Sequence, residues 1–284
     1  MGRDGLSVVE KAAAIIERFL EERATSLTFN EILSGTQLSR ATVHRLLSEM
    51  TQHALLAQAA QRDEYRLGPL LVSAGALAQQ LDSAAARALP RMELLRDQFG
   101  ETIVLAEFQS NAVVPVKRLD GRHEMRVTQE VGRRYPAYAG ATGKVLLAWL
   151  DAGALTAYLG NVRPEPLTSA TITSVEALRL DLGRVRRTGA AVSRGERVAD
   201  SIAVSAPVFD AEGRCAAALT ISGVASRWCR DRMFIAGQAV GEAAEAVSME
   251  LGYRAAAAEP RAAALKDPAS EPYRLLSGMC DELW

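Results

Sequence analysis

Three cysteines and three histidines are all that the 284 residues offer to a disulfide or a metal. Cys215, Cys229 and Cys280 are odd in number and lack close paired spacing, which argues against both a disulfide framework and a Cys-rich zinc site. His44, His53 and His123 form no His-Glu-x-x-His pattern, so no metal and no cofactor are expected. No apolar run approaches the ~18 to 20 residues that span a bilayer, and the first residues lack a cationic start followed by an apolar core. A cytoplasmic protein with no membrane partner is the expectation. Catalytic patterns are missing as well. There is no acid/base pair, nucleophile elbow, metal spacing or nucleotide fingerprint, so catalytic residues are expected to be none. Gly140-Ala141-Thr142-Gly143-Lys144 invites a phosphate-loop reading and fails on spacing, because Tyr138 stands where that loop needs glycine and Val145 where it needs serine or threonine.

A surplus of positive charge is absent too: 33 Lys and Arg face 34 Asp and Glu. The first 82 residues hold 8 basic and 10 acidic side chains, a net of −2, although a nucleic-acid-binding segment is usually basic. Distribution outweighs the total here, since screening acts over ~8 Å at physiological salt. Glu10, Glu17, Glu21 and Glu22 fall on a first amphipathic helix marked by Val8, Ala12, Ile15, Ile16, Phe19 and Leu20, whereas Arg40, Arg45, Arg62 and Arg66 fall on later elements.

What is present is enough apolar material, 49% of residues, for one or two cores, with length favouring two domains. Ser39 to Met50 carries the sharpest pattern. Val43, Leu46, Leu47 and Met50 recur at the spacing of a buried helical stripe, while Ala41, Arg45 and Ser48 point the other way. Ser39 caps this helix, and the free N–H groups there favour an anion such as phosphate. Ahead of it, Thr28 and Glu31 form a capping box that opens a short helix through Leu33, and Gly35 allows a sharp turn. Helix, turn and helix is the layout in which the second helix enters the major groove. Leu55 to Gln58 and Glu64 to Leu67 read as two strands around a polar turn, a wing.

These residues resemble a known family. S-V-V-E-K-A from Ser7, L-S-R-A-T-V-H-R-L-L from Leu38 and Y-R-L-G-P from Tyr65 are similar to the winged helix-turn-helix of IclR-type bacterial transcriptional regulators. R-R-Y-P-A-Y-A-G-A-T-G-K-V-L-L-A from Arg133, S-A-P-V-F-D from Ser205 and A-A-L-T-I-S-G from Ala217 resemble that family's GAF-like effector-binding domain. Ala54 stands where the family often has glycine before the wing, and Gln58 lacks the usual charge. The expected class is therefore α+β: a winged helix-turn-helix over 1–67, a linker helix over 68–83, an antiparallel sheet flanked by helices over 84–253, and a tail over 254–284 that is disordered or loosely docked.

Within the linker, Leu70, Ala74, Leu77, Ala78 and Leu81 form an apolar stripe that either packs on its own domain or, as the resemblance implies, pairs with its copy in a second subunit. Beyond it, helices are expected near Arg87–Phe99, Thr142–Leu150, Ser174–Arg187 and Trp228–Leu251. Strands are expected at Thr102–Phe108, Val113–Arg118, Met125–Gln129, Ala190–Arg194, Ile202–Phe209 and Arg214–Ser222, the last two joined through Asp210 to Gly213.

The DNA contacts expected are Ser39, Arg40, Thr42, His44, Arg45 and Ser48, with Arg62 and Arg66 on phosphates and Arg45 on a base. His44 sits on the flank of its helix, packed or phosphate-facing. For the effector, the small residues Ala141, Thr142 and Gly143 let a ligand approach a helix N-terminus, or else serve a close packing contact. Thr220 and Ser222 are two apart on a strand and so share a face. The resemblance places both along the effector pocket with Ala141 and Thr142. Some family members carry a carboxylate and a thiol where this chain has Ser193 and Ala203, which implies a less charged pocket. Asp200 and Ser201 are nearby candidates, Asp200 being equally a solvated turn residue.

The function so implied is a ligand-responsive regulator that binds double-stranded operator DNA as a homodimer or homotetramer and senses a small organic acid or aromatic catabolite. Weak non-specific binding and several specific contacts are expected from the charge balance. Two readings compete with it: an interaction module whose sensor domain binds no small molecule, and an enzyme whose catalytic residues are scattered in sequence.

Overall fold

Ile15, Phe19, Ile32, Val43, Leu46, Leu47, Met50 and Leu56 are nearly or wholly withdrawn from water and meet in one cluster, which is where the helical stripes of the first 60 residues point. The computed structural model describes residues 7–22, 24–59, 63–80, 84–254 and 262–282. The chain divides into two compact units, Met1–Asp82 and Ser83–Trp284.

In the first unit α1 (Val8–Glu22) packs on α2 (Phe29–Thr36), which leads to α3 (Arg40–Gln52). The capping box is complete: the Glu31 N–H donates to Thr28 Oγ1 at 3.3 Å and the Thr28 N–H donates to Glu31 Oε2 at 2.7 Å. The Thr28 backbone N–H, then its hydroxyl, holds the Glu31 carboxyl below the usual carboxylate range. The turn expected at Gly35 falls elsewhere. Gly35 lies inside α2, and the left-handed residue is Gln37 at φ 55°. Gly35 instead leaves room for the Arg18 side chain, whose Nε would stand 2.0 Å from an added Cβ.

The wing is a hairpin of β2 (Leu56–Gln58) and β3 (Glu64–Leu67), with Leu56 opposite Leu67 and Gln58 opposite Tyr65. A two-residue strand, β1 (Leu27–Thr28), joins it on the far side of β3; too short to show alternation, it escaped the sequence pattern. Ala54 adopts φ 55°, the left-handed conformation that glycine takes without a Cβ penalty. Gly68 presses on the same corner, where an added Cβ would meet the Ala54 carbonyl oxygen at 2.1 Å. Pro69 then starts α4 (Pro69–Gln80), the position at which a missing N–H costs nothing. Leu70, Val72 and Leu77 on α4 are 49%, 67% and 61% exposed. Leu81 lies outside the described residues.

The second unit is built on a six-stranded antiparallel sheet of order β6-β5-β4-β9-β8-β7, comprising β4 (Thr102–Gln109), β5 (Ala112–Leu119), β6 (Tyr135–Pro136), β7 (Ala191–Arg194), β8 (Ser201–Phe209) and β9 (Cys215–Val224). Residues of β8 from Val204 to Phe209 are all buried, so both faces of the sheet are covered. One layer is α5 (Ala84–Phe99) with α9 (Arg230–Glu250); the other is α6 (Ala141–Ala148) backed by α8 (Val175–Thr188). This is the α+β arrangement of a flanked antiparallel sheet.

Three local expectations change. The strand expected at Met125–Gln129 is irregular chain, because side chains rather than a neighbouring strand take its carbonyls: Arg227 Nη1 donates to Met125 O at 3.1 Å and Arg118 Nη1 to Gln129 O at 3.1 Å. A helix not expected, α7 (Ala152–Asn161), starts at Asp151, whose carboxylate accepts the Ala154 N–H at 2.8 Å. Of the two outcomes left open for the tail, the described part docks. α10 (Glu271–Asp281) buries Leu276, Met279 and Cys280 against α8 and α9, and Tyr273 meets Phe234 edge-on at 4.8 Å. Leu283 lies outside the described residues.

Candidate functional site

Two surfaces bring together residues singled out above, one in each unit. On α3, Val43, Leu46, Leu47 and Met50 face the core. Their burial leaves Ser39, Arg40, Ala41, His44, Arg45 and Ser48 exposed and Thr42 half-buried, a polar and cationic outer face. Ser39 caps the helix by accepting the Thr42 N–H at 3.3 Å, and its hydroxyl bonds Thr42 Oγ1 at 2.8 Å. Arg40 lies over the Phe29 ring at 4.9 Å and His44 stands beside the same ring, 6.4 Å between centroids. Among the described residues Arg45 reaches only Glu49, at 3.9 Å with both side chains in water, a contact too loose to fix it. Arg66 is exposed on β3. Arg62 lies outside the described residues.

The second surface is a recess over the start of α6. Gly140 opens that helix at φ 93°, a conformation closed to other L-residues without strain, and has no side-chain cap. Distant residues take over instead: the Gly140 N–H donates to Glu196 Oε2 at 2.9 Å and the Ala141 N–H to Ser193 Oγ at 3.1 Å. The N–H groups of Thr142 and Gly143, next in the first turn, have no intrahelical acceptor. Gly143 also serves a packing contact, since a Cβ there would stand 2.2 Å from Ala137 O.

Strand register supplies the floor. Ser193 is opposite Ala203 and Ala203 opposite Ser222, so these three form one row across β7, β8 and β9. The next row places Ser205 opposite Thr220, and Thr220 Oγ1 bonds both Ser205 Oγ at 2.8 Å and Thr142 Oγ1 at 2.9 Å. The lining therefore includes Ala141, Thr142, Gly143, Ser193, Ser201 and Ser222, together with Val113, Gln129, Tyr135, Ala203 and Arg197. Thr220 sits beneath the lining, bonded to it through Thr142. Asp200 stands apart: it is exposed, at φ 58° in a turn, and its carbonyl accepts the Ala225 N–H at 2.7 Å. The cavity is only ≈ 20 Å³, about the room one water needs.

Behind this floor is a buried charge cluster that no sequence motif marks. Lys144 Nζ lies 2.6 Å from Glu196 Oε1, 2.9 Å from Asp181 Oδ2 and 2.9 Å from Val192 O. Burial works against the ammonium, but Glu196 and then Asp181 outweigh it and hold the Lys144 pKa above the ordinary lysine value. Glu196 thus uses one oxygen on Lys144 and the other on the N–H that opens α6. Arg197 and Tyr135 were missed for the same reason, being joined only by folding; the Arg197 guanidinium lies over the Tyr135 ring at 4.6 Å.

The profile of the IclR helix-turn-helix domain matches residues 8–60, and that of the C-terminal domain of bacterial IclR transcriptional regulators matches residues 78–249. The HTH-type transcriptional regulator KdgR of Escherichia coli (strain K12) is 32% identical over 250 residues, 88% of this chain and 94% of the relative. KipR of Bacillus subtilis (strain 168), also an HTH-type transcriptional regulator, is 30% identical over 245 residues, covering 86% and 97%. Among solved structures, an IclR-type regulator from Silicibacter sp. TM1040 superposes with TM-score 0.82 at 23% identity, covering 89% of this chain and all of that one, which speaks to the fold. An IclR homologue from Microbacterium hydrocarbonoxydans in complex with 4-hydroxybenzoate gives TM-score 0.73 at 26% identity, covering 86% and 99%.

Proposed function

Because the chain belongs to the IclR family of bacterial transcriptional regulators, we propose that the outer face of α3 reads operator DNA while the recess over α6 senses a small organic acid or aromatic catabolite. The regulator class, a DNA-binding helix-turn-helix joined to an effector-binding domain, comes with the family. The assignment of residues rests on the exposed face of α3 above four buried side chains. Its N-terminal turn presents Ser39, Arg40 and Thr42 to a duplex, with Arg45 one turn on for a base edge, as a recognition helix does. Arg66 on β3 contacts a phosphate, and Arg62 is assigned the same role from its charge.

Two heads are needed to make a specific site from so little positive charge. Two copies of the chain pair through the exposed Leu70 and Leu77 of α4, which sets half-sites ~34 Å or a multiple apart. Relatives that are transcriptional regulators by name support a non-catalytic, cytoplasmic role; no helix among the described residues is long and apolar enough to cross a membrane.

The pocket reading is supported by the free N–H groups of Thr142 and Gly143, the serine row beside them, and the 4-hydroxybenzoate held by the Microbacterium homologue. One observation favours the alternative of a ligand-free interaction module, namely a cavity of only ≈ 20 Å³. An anisotropy titration of promoter fragments from beside the encoding gene tests the DNA reading. Arg45→Ala should weaken the specific fragment by about 1 to 3 kcal/mol and flatten its sequence preference. Equal weakening on every sequence would reduce Arg45 to a phosphate contact.

A further inference from the structure

The lining of the recess contains one cation that has no carboxylate partner among the described residues. Arg197 sits at its mouth, stacked on Tyr135 at 4.6 Å. Arg133 lies over the same ring at 5.4 Å, yet it has a carboxylate of its own, Glu130 Oε1 at 3.3 Å. Arg197 has none among the described residues. The carboxylate adjacent in sequence, Glu196, is turned away with both oxygens occupied, by Lys144 and by the Gly140 N–H. Partial removal from water disfavours the charged form of Arg197; Tyr135 opposes that effect, and Arg133, a like charge, adds to it. A half-buried guanidinium with no carboxylate beside it, at the mouth of a recess, marks a place where a ligand can supply the missing charge.

The rest of the recess has the same polarity. The helix end offers N–H donors at Thr142 and Gly143, and Ser193 and Ser222 offer hydroxyls. A carboxylate has only acceptors to give, and a guanidinium fork matches its two oxygens. Resting on the reading of this recess as the sensor site, we infer that Arg197 is the residue that selects a carboxylate there, its guanidinium and the start of α6 both donating to the anion.

Calorimetric titration of the full chain decides the matter, using 4-hydroxybenzoate and a panel of other small carboxylates, each paired with its uncharged primary amide. The wild type should bind an acid ~10- to 100-fold more tightly than its amide. Arg197→Met should remove most of that preference by weakening the acid alone, and Arg197→Lys should keep more of it. Arg197→Gln serves as a second neutral variant if Arg197→Met does not fold. An acid preference that survives at full size in both neutral variants overturns the inference while leaving the sensor site intact. So does a loss that falls equally on acid and amide, since that is what a packing role predicts. Failure of every pair to bind the wild type overturns the sensor reading itself, and this inference with it.

Discussion

The helix starts on which the two proposed sites rest are built in opposite ways. α3 buries only Val43, Leu46, Leu47 and Met50 and shows the rest of its surface to solvent, whereas all eight residues of α6 are buried. The caps differ accordingly: Ser39 satisfies α3 from the adjacent residue, while α6 depends on Ser193 and Glu196, 52 and 56 residues from the groups they cap. A duplex is large and charged, so an open face with a few fixed side chains suffices, and water can leave as the surfaces meet. A small acid must be taken out of water almost entirely, so its donors have to be assembled in advance by the fold.

The same difference governs what the amino-acid sequence discloses. The α3 face and its cap are written in spacings of three and four residues, and the capping box at Thr28 and Glu31 is equally local. The recess is not. Ser193, Ala203 and Ser222 share a row only through the pairing of three strands, and Thr142 finds Thr220 across 78 residues. Family resemblance pointed to the small residues of α6 and to the hydroxyls of β9, but Arg197, Tyr135 and the Lys144 cluster carry no spacing that a linear reading detects. Met125–Gln129 failed in the other direction, since an extended apolar-polar pattern looks like a strand whether a neighbouring strand or an arginine takes its carbonyls.

If the sensor unit depends on assembled long-range contacts, its buried charges should matter most. Lys144→Met leaves Glu196 and Asp181 without their cation and should cost the Ser83–Trp284 unit about 3 to 5 kcal/mol, the usual penalty for breaking a buried pair. Differential scanning calorimetry should show that transition falling while the Met1–Asp82 unit is unmoved. Because the Lys144 pKa is raised, the wild-type contribution is complete at every pH below the ordinary lysine value and is lost only as pH climbs through the raised one. A variant as stable as the parent would mean that the cluster does not hold the start of α6.

The DNA-reading unit should respond to a smaller, local change. Ala54→Gly relieves a left-handed alanine at the corner before the wing and should raise that unit's stability by about 0.5 to 1 kcal/mol in a urea titration, with no effect on the sensor unit. Destabilisation would show that the corner is held by its methyl group rather than strained by it.

The claim that joins the two units is that occupancy of the recess over α6 changes how α3 meets DNA. Anisotropy titration of the promoter fragment by the full chain, with and without a saturating carboxylate identified by calorimetry, measures that coupling directly. A shift in operator affinity of about 5- to 150-fold, matched by the same factor in carboxylate affinity when DNA is present, is the predicted result. A carboxylate that binds yet leaves operator affinity unchanged would contradict it.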